Sequence, residues 1–237
     1  MEIIKGIEIT GLGLFIKKEK TLVISDMHLG YEELLRKQGI QIPLSQFKQI
    51  KDNLEKLLLK LKPKKIIITG DFKHEFGTIS DSEWKQILKI IDLLKENSEL
   101  IILKGNHDVI LKPIAEKRDV KIKDYYKLNN IYICHGDFVP KDRYFSESKI
   151  IIIGHEHPAI TLKKGPRKEK YKCFLKGKYK TKTLIVMPSF NPITPGTDIL
   201  NEKQISPFLI QNLDNFEVFI VENKTYYFGK VKDIKKL

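Results

Sequence analysis

The stretch KIIIIGHEHPAI at residues 149–160 joins four consecutive isoleucines to a glycine and then to two histidines that flank a glutamate. The isoleucine run is typical of a strand buried on both faces, and Gly154 and Pro158 are sufficient to end it in a turn. A turn does not need two imidazoles. His155 and His157 are therefore either ordinary loop residues or ligands, and the positions of the other histidines decide between these alternatives.

Short runs of Ile, Val and Leu recur along the chain and predict further strands. Six runs have this character: 21–25, 65–69, 100–103, 131–134, 150–153 and 184–187. Amphipathic helices are predicted at 45–61, with Ser45 as the N-cap, and at 80–96, which opens on the capping-box pattern SDSE. Strands and loops predominate later and end in a predicted hairpin at 216–229. We expect one α/β domain over residues 1–237, without repeats or linkers.

The composition is typical of a soluble globular protein, with 41% hydrophobic and 31% charged residues. No apolar run approaches the ~20 residues of a membrane span, and the N-terminus lacks the pattern of a targeting segment. Two cysteines, Cys134 and Cys173, fit a reducing compartment, so we expect a cytoplasmic protein, with Cys134 in the core. The net charge of +13 supports an anionic partner only weakly, because Lys enrichment is also typical of heat-adapted proteins.

All six histidines follow the end of a predicted strand, and Asp or Asn residues accompany them. The residues concerned are Asp26, His28, Asp71, His74, Asn106, His107, Asp108, His135, His155 and His157. In sheets of this kind ligands gather beyond the C-terminal strand ends, because loops from several strands converge there. Six histidines from five strand ends therefore predict one functional site.

The residue types at these strand ends predict the kind of site. Imidazole, carboxylate and amide oxygen, without thiolate, suit a borderline divalent ion, with Mn as the first expectation and Fe, Zn or Ni as alternatives. Four ligands complete one structural zinc site, whereas the seven or eight in this chain are enough for two ions. Two ions about 3.5–4 Å apart can clamp the attacking and leaving oxygens of a phosphoryl transfer. Two dications against two ligand aspartates leave a positive centre that suits a phosphate ester.

Five short motifs occur in order between residues 26 and 157: DMH, GDFKH, GNHD, CHGD and GHEH. With them the chain resembles the calcineurin-like metallophosphoesterases, whose signature is D-x-H, G-D-x-x-[HN], G-N-H-[DE], a lone His and G-H-x-H. The GDxxH form, with GHEHP and the later CFLKG and PSFNP, is most similar to the archaeal branch related to the SbcD DNA-repair nucleases. Those nucleases continue into a DNA-capping domain and an ATPase-docking segment, for which we expect no room in 237 residues.

The resemblance implies a four-layer α/β/β/α sandwich with a dinuclear metal site at the C-terminal strand ends. It implies that Asp26, His28 and His157 bind the first ion, that Asn106, His135 and His155 bind the second, and that Asp71 bridges the two. A hydroxide that bridges the ions is the implied nucleophile. His155 and His157 then lie close in sequence because each binds a different ion.

Further residues near the motifs receive expected roles. The resemblance implies that His107 stabilises or protonates the leaving oxygen, and that Asp108 holds its ring in the productive tautomer. His74 either contacts the substrate or hydrogen-bonds to a ligand. Asp137 and Glu156 are expected to be solvated or to support the ligands. The PSFNP loop is a candidate border of the pocket.

Residues 163–182 contain ten Lys or Arg residues against one acid, with three aromatic residues between them. The candidate substrate contacts are Lys163, Lys164, Arg167, Lys168 and Lys170. In one interpretation these cations follow a nucleic-acid backbone while Tyr171, Phe174 and Tyr179 stack on bases. In the other, the segment forms solvated strands whose aromatic rings face the core.

The predicted function is a metal-dependent phosphodiesterase, with a DNA or RNA nuclease as the first expectation. A phosphodiesterase for small nucleotides is the alternative enzyme, and it needs no basic track. A non-catalytic scaffold of the same fold is the alternative from another class. The complete ligand set and the intact GNHD motif argue against the scaffold.

Overall fold

Side chains along the isoleucine-rich strands point alternately to the two faces of each sheet, and this alternation explains how two sheets stack on each other. The computed structural model describes residues 1–74, 80–108 and 111–236, with only the backbone of Lys164. In strand β4 (Thr21–Ile24), Val23 faces a core between the sheets, whereas Leu22 and Ile24 face a second core beneath the helices. Successive strand residues point to opposite faces, so one apolar run serves two cores.

The first sheet contains seven strands within the described residues. Their order is β1 (Glu2–Ile4), β2 (Ile7–Thr10), β3 (Gly13–Ile16), β4, β5 (Lys65–Ile68), β6 (Glu99–Leu103) and β7 (Lys121–Lys123). Strands β1 to β4 form an antiparallel meander, and β4 to β7 are parallel. The C-terminal ends of β4, β5 and β6 therefore lie at the same edge of the sheet.

Four helices follow the strands of this first sheet. They are α1 (Tyr31–Lys37), α2 (Gln46–Leu61), α3 (Asp81–Lys95) and α4 (Lys112–Glu116). Both predicted helices are confirmed, but their N-caps differ. The Ser80 hydroxyl accepts a hydrogen bond from the Glu83 N–H at 3.1 Å. The Ser45 hydroxyl does not cap the backbone of α2 and instead accepts from Gln49 Nε2 at 2.9 Å.

The second sheet contains nine strands among the described residues. Seven lie in the order β14 (Thr197–Asp198), β11 (Pro158–Lys164), β12 (Arg167–Tyr179), β13 (Lys182–Val186), β10 (Ile150–Ile153), β9 (Ile131–Cys134) and β8 (Tyr125–Leu128). The predicted C-terminal hairpin is confirmed as β15 (Glu217–Val221) and β16 (Thr225–Lys230), and β15 pairs with β12. Strands β9, β10 and β13 are parallel, so their C-terminal ends also share an edge.

Three cores separate four layers, which confirms the predicted α/β/β/α sandwich. The inter-sheet core contains Val23 and Ile67 from the first sheet and Ile152 from the second. Helices α2 and α3 cover the first sheet, while α5 (Arg143–Glu147) and α6 (Val231–Ile234) pack on the outer side of the second. Cys134 is buried as predicted.

Within the described parts of the chain, no helix combines the length and the apolar character needed to cross a bilayer.

Candidate metal centre

The five motif loops leave the C-terminal ends of β4, β5, β6, β9 and β10. Ten non-glycine residues with positive φ occur among the described residues, and five of them are predicted ligands: Asp26, His28, Asp71, His155 and His157. A non-glycine residue in this region costs on the order of 1–3 kcal/mol, and such strain concentrates at functional sites. The rigid sheets therefore hold the ligand loops in conformations that local propensity does not favour.

The ligands predicted for the first ion form one cluster. Ligand atoms of Asp26, His28 and His157 all lie within 4.8 Å of one another. His157 Nε2 is 3.3 Å from His28 Nε2 and 3.5 Å from Asp26 Oδ2. Asp26 and His28 are buried and His157 is partly buried. This cluster joins the loops after β4 and β10, so it holds the two sheets together at this edge.

The ligands predicted for the second ion surround one nitrogen of His135. His135 Nε2 lies 2.9 Å from Asn106 Oδ1, 3.0 Å from His155 Nδ1 and 3.4 Å from Asp71 Oδ2. His135 Nδ1 lies 2.9 Å from the Thr69 carbonyl oxygen, to which it donates its proton. In the neutral ring this tautomer leaves a lone pair on Nε2, the atom that faces the other ligands.

The Asp71 carboxylate lies between the two clusters, where a bridging ligand is predicted. Its Oδ2 atom is 3.4 Å from His135 Nε2 in the second cluster and 3.8 Å from His28 Nε2 in the first. Its Oδ1 atom accepts a hydrogen bond from the His107 N–H at 2.9 Å. One oxygen is thus fixed by the backbone while the other faces both clusters.

The chemistry of these groups fits divalent cations. Asp26 Oδ1 is buried and makes no hydrogen bond among the described residues, and a buried carboxylate requires compensating charge. Burial raises the pKa of Asp71 to about 8 and lowers the pKa of His155 to about 4. Neutral imidazole is the form that binds metal, and cations beside Asp71 would favour its charged form. A divalent metal site of the kind that the resemblance implies therefore has suitable donors in this chain.

The glycines of two motifs leave room for the buried carboxylates. A Cβ atom on Gly105 would lie 2.2 Å from Asp71 Oδ1, and one on Gly154 would lie 2.4 Å from Asp26 Oδ2. Such distances are far below van der Waals contact. The glycines that precede Asn106 and His155 in GNHD and GHEH thus allow the close approach of neighbouring loops.

His107 lies beside the clusters with its two ring nitrogens in different environments. Its Nδ1 atom donates to the His74 carbonyl oxygen at 2.6 Å, and its Nε2 atom is 3.9 Å from Asp71 Oδ2. Burial lowers the pKa of His107. The His74 carbonyl oxygen therefore orients the ring, a role that the resemblance assigns to Asp108.

Asp108 is buried and connects two loops. Its carboxylate accepts hydrogen bonds from the backbone N–H groups of Phe72 at 3.0 Å, Lys73 at 3.4 Å and Gly105 at 3.1 Å. The carboxylate is thus directed at backbone donors of the GDFKH and GNHD loops. Asp108 instead holds the GDFKH loop against the GNHD loop.

The His74 ring contacts a predicted ligand. Its Nδ1 atom is 3.2 Å from His28 Nδ1, and its ring packs against Tyr31 with centroids 4.4 Å apart. Ligand atoms of His28, His74 and His107 also lie within 4.8 Å of one another. Of the two roles expected for His74, the hydrogen bond to a ligand has direct geometric support.

Two supports of the ligand loops were predicted only in general terms. The buried Glu156, between the predicted ligands His155 and His157, accepts hydrogen bonds from the Ile205 N–H at 3.0 Å and the Ser206 N–H at 2.8 Å. In the PSFNP loop, Ser189 Oγ donates to the Asp26 carbonyl oxygen at 2.7 Å.

Lys172, for which the sequence predicts no role of its own, donates from Nζ to the Ser189 carbonyl oxygen at 2.9 Å. In the sequence it is one of ten cations in its segment, so no local signal distinguishes it.

The basic segment forms the hairpin of β11 and β12, and its register divides the predicted substrate contacts between two faces. Lys163 lies opposite Lys168, and Lys170 follows two residues along on the same face. Lys164 and Arg167 oppose each other on the other face, although the Lys164 side chain lies outside the described residues. The five cations therefore do not form one surface.

Two of these cations already have carboxylate partners. Lys170 Nζ lies 2.8 Å from Glu202 Oε1, and Arg167 Nε lies 2.7 Å from Glu169 Oε1. Lys163 and Lys168, which lie opposite each other near the turn, are exposed. The exposed pair is the better candidate for an anionic partner.

The aromatic residues of the hairpin face the protein interior. Phe174 is fully buried between the sheets, and Tyr171 and Tyr179 pack against the core of the second sheet. The structure favours the core-facing alternative: Phe174 is buried away from any base, while Tyr171 and Tyr179 are partly buried. Successive side chains of β12 point to opposite faces of the sheet, so each ring packs against one of two apolar cores.

Comparison with known proteins identifies the family. The model of the calcineurin-like phosphoesterases matches residues 19–213, which include all five motifs. The crystal structure of the nuclease MPE from Pseudomonas putida is 16% identical, with a TM-score of 0.64 over 88% of each chain. The phosphoesterase Yfce from E. coli is 12% identical, covering 86% of this chain and 88% of that chain, with a TM-score of 0.39. No curated protein sequence matches. The chain belongs to the calcineurin-like phosphoesterase family, whose members are metal-dependent phosphoester hydrolases.

Proposed function

We propose that this protein is a two-metal phosphodiesterase that cleaves DNA or RNA, with Mn as the expected metal. The observation that carries the proposal is the Asp71 carboxylate, whose Oδ2 atom lies within 3.8 Å of a ligand nitrogen in each cluster. The proposed first ion is held by Asp26, His28 and His157, the second by Asn106, His135 and His155, and both by Asp71. When bound, two ions would lower the pKa of a water molecule and neutralise charge on the phosphate ester.

The chain itself supplies a proton donor, His107, and the group that orients it, the His74 carbonyl. His107 presents Nε2 at the rim of the site, with 16% of its side chain exposed, so the ring can contact a substrate. A phosphate ester beside this nitrogen would raise the pKa of His107, because an anion favours the protonated ring. The protonated ring can then stabilise or protonate the leaving oxygen, while the His74 carbonyl keeps it oriented.

The position of the basic hairpin supports a nucleic acid as substrate. Strand β11 begins at Pro158, directly after the proposed ligand His157, and it ends at Lys164. At about 3.3 Å per residue, Lys163 lies roughly 20 Å from His157. A small ester bound at the metal site does not extend that far, whereas a polynucleotide does. A relationship to the SbcD nucleases remains part of this proposal.

A phosphodiesterase for small nucleotides is the second candidate. The observation that favours it is the ion pairing of Lys170 with Glu202 and of Arg167 with Glu169. These pairs reduce the free positive charge along the hairpin. A non-catalytic scaffold does not account for a complete set of seven ligand candidates around two centres.

The substrate class can be tested with the Mn-loaded protein and a panel of phosphate esters. We expect single-stranded DNA or RNA and bis(p-nitrophenyl) phosphate to be hydrolysed, and phosphodiesters to react faster than p-nitrophenyl phosphate. The reason is that a diester carries less negative charge to repel the attacking oxygen. Rates at matched substrate concentration provide the measurement. Hydrolysis of cyclic nucleotides without cleavage of any oligonucleotide would favour the second candidate.

Reversing the charge of both Lys163 and Lys168 to Glu is expected to weaken the salt dependence of oligonucleotide binding. Each phosphate contact contributes about −0.7 to the log–log slope for single strands, so loss of two contacts flattens the slope by about 1.4. KM for oligonucleotides should rise, while hydrolysis of bis(p-nitrophenyl) phosphate should barely change. Binding isotherms at several salt concentrations measure the slope. The pair Lys163 and Lys168 is chosen because Lys170 is held by Glu202.

The matched control for this experiment reverses Lys178 and Lys180, at the other end of β12 and its turn. It changes the net charge equally but lies far from the metal site. If both double variants change the slope equally, the effect is one of overall charge and the hairpin has no specific role.

A further inference from the structure

One lysine of the basic hairpin is turned towards the protein. Lys172 Nζ donates to the Ser189 carbonyl oxygen at 2.9 Å and also to the Asn191 carbonyl oxygen. Burial lowers the pKa of Lys172 to about 7. Ser189 and Asn191 are themselves fully buried. The ammonium group thus satisfies two carbonyl groups of an interior loop and is not part of the solvated face of the hairpin.

The loop that Lys172 holds is bonded to the segment carrying two proposed ligands of the first ion. Ser189 Oγ donates to the Asp26 carbonyl oxygen at 2.7 Å, and the Phe190 N–H donates to the Ser25 carbonyl oxygen at 2.8 Å. The Asn191 amide nitrogen lies 3.5 Å from the His28 carbonyl oxygen. The loop therefore runs alongside residues 25–28 and contacts them at three successive points.

Residues 25–28 have a backbone conformation that the surrounding protein must stabilise. Asp26 and His28 both have positive φ, at 49° and 44°, a conformation that L-residues adopt only when their surroundings impose it. The loop bonded along this segment is one such constraint. Without the ammonium group, the carbonyl groups of Ser189 and Asn191 would lose a charged donor inside the protein. The loop would then have to shift towards water, and the strained segment would relax with it.

Two ligands of the second ion are held by groups outside this loop, whereas the backbone N–H of the third, His155, donates to Asp26 Oδ2 at 3.0 Å. His135 is oriented by the Thr69 carbonyl oxygen at 2.9 Å. The backbone N–H of Gly105, next to Asn106, donates to Asp108 Oδ2 at 3.1 Å. The Ser189–Asn191 loop thus contacts residues 25–28, which carry two ligands of the first cluster.

We propose that Lys172 is a positioning residue for the first metal ion, acting through the Ser189–Asn191 loop, and that its loss weakens that ion selectively. The proposal rests on the ligand assignment of the proposed function. It assigns Lys172 no contact with the metal or the substrate. It separates this lysine from Lys168, which is exposed, and from Lys170, which pairs with Glu202.

The test is a set of Mn²⁺ titrations of chelator-treated protein by calorimetry. Wild type is expected to bind two ions. Lys172→Met should weaken one of them by roughly 10–100-fold, the usual effect of removing a group that orients a ligand, and leave the other within about twofold. Lys172→Arg, which keeps the positive charge, should restore most of the affinity. Circular dichroism of the metal-free variants monitors folding.

Combining Lys172→Met with a second substitution identifies which ion is weakened. In His155→Ala, which retains the first cluster, adding Lys172→Met should weaken the remaining ion. In His157→Ala, which retains the second cluster, it should have no effect. Ser189→Ala removes the bond to Asp26 without altering Lys172, and it should show the same selectivity. This variant also tests the proposal if Lys172→Met fails to fold.

Lys176→Met is the matched control, because this lysine lies on the same face of β12, four residues along. Its Nζ atom also donates to a backbone carbonyl, that of Ile3 at 3.2 Å, and pairs with Glu217 at 2.7 Å. It should leave both Mn²⁺ affinities unchanged. The proposal is overturned if Lys172→Met leaves both affinities unchanged or weakens both equally. Wild type that binds fewer than two ions would instead overturn the ligand assignment, and this proposal with it.

Discussion

Replacement of His107 by alanine is expected to lower kcat by roughly 10²–10⁴-fold, the usual contribution of a positioned acid or base, while both metal ions stay bound. The reason is the placement of the ring. Nδ1 donates to the His74 carbonyl at 2.6 Å, and Nε2 stands 3.9 Å from Asp71 Oδ2 at the edge of the clusters. The ring therefore lies beside the proposed metal site but is not among the proposed ligands. Steady-state kinetics and metal analysis of the same preparation provide the measurement.

His155→Ala is the matched control for this experiment. His155 Nδ1 lies 3.0 Å from His135 Nε2 within the second cluster, so its removal should deplete the second ion as well as activity. The two variants remove the same type of side chain from neighbouring positions, and they differ in the expected metal content. If His107→Ala loses metal as readily as His155→Ala, the roles assigned to these histidines are wrong.

Removal of divalent metal is expected to abolish hydrolysis and to destabilise the folded protein. Asp26 and Asp71 are buried, and Asp26 Oδ1 makes no hydrogen bond within the described chain, so bound cations would stabilise the charged form of these carboxylates. A ligand that binds only the folded state adds about 2.7 kcal/mol when its concentration is 100 times its Kd. The melting temperature should therefore rise with Mn²⁺ concentration.

Activity and metal content should be followed together during chelator dialysis and Mn²⁺ re-addition. We expect two ions per chain in the active protein, with full recovery on re-addition. The far-UV circular dichroism spectrum of the metal-free protein checks that the fold persists. Active protein with at most one ion per chain would contradict the two-metal proposal. Activity that survives complete removal of metal would contradict metal dependence itself.

Local patterns in the sequence were sufficient to predict most of the central elements. The six apolar runs became strands, and the amphipathic segments became α2 and α3 within a residue or two of the predicted bounds. This succeeds because strand and helix periodicity are local properties of the chain. The short strands β1, β2, β3, β7, β8 and β14 were not predicted, since runs of two to four residues acquire their structure mainly from pairing with neighbours.

The composition of the candidate site was likewise predictable, because the motifs place ligand-type residues directly after strands. Parallel strands bring their C-terminal ends to one edge of a sheet, so convergence of His28 and Asp71 follows from topology. His135 follows β9 of the second sheet and joins them only through the packing of the two sheets. The roles of supporting groups did not follow. The resemblance assigns the orientation of His107 to Asp108, but the ring donates to the His74 carbonyl oxygen, and the Asp108 carboxylate accepts from backbone donors of its own loop and of the GDFKH loop. That competition is invisible in a linear sequence.

The sequence by itself thus determined the apolar strands, the two long helices and the set of residues able to bind metal, because these depend on residue type and local spacing. The tertiary structure decided which face of the hairpin each lysine occupies, which cations meet carboxylates, and that Lys172 turns inward to a loop beneath Asp26. Register between β11 and β12 sets the first of these. The others depend on contacts between residues far apart in the chain, such as Lys172 with Ser189, and such contacts exist only once both sheets have packed.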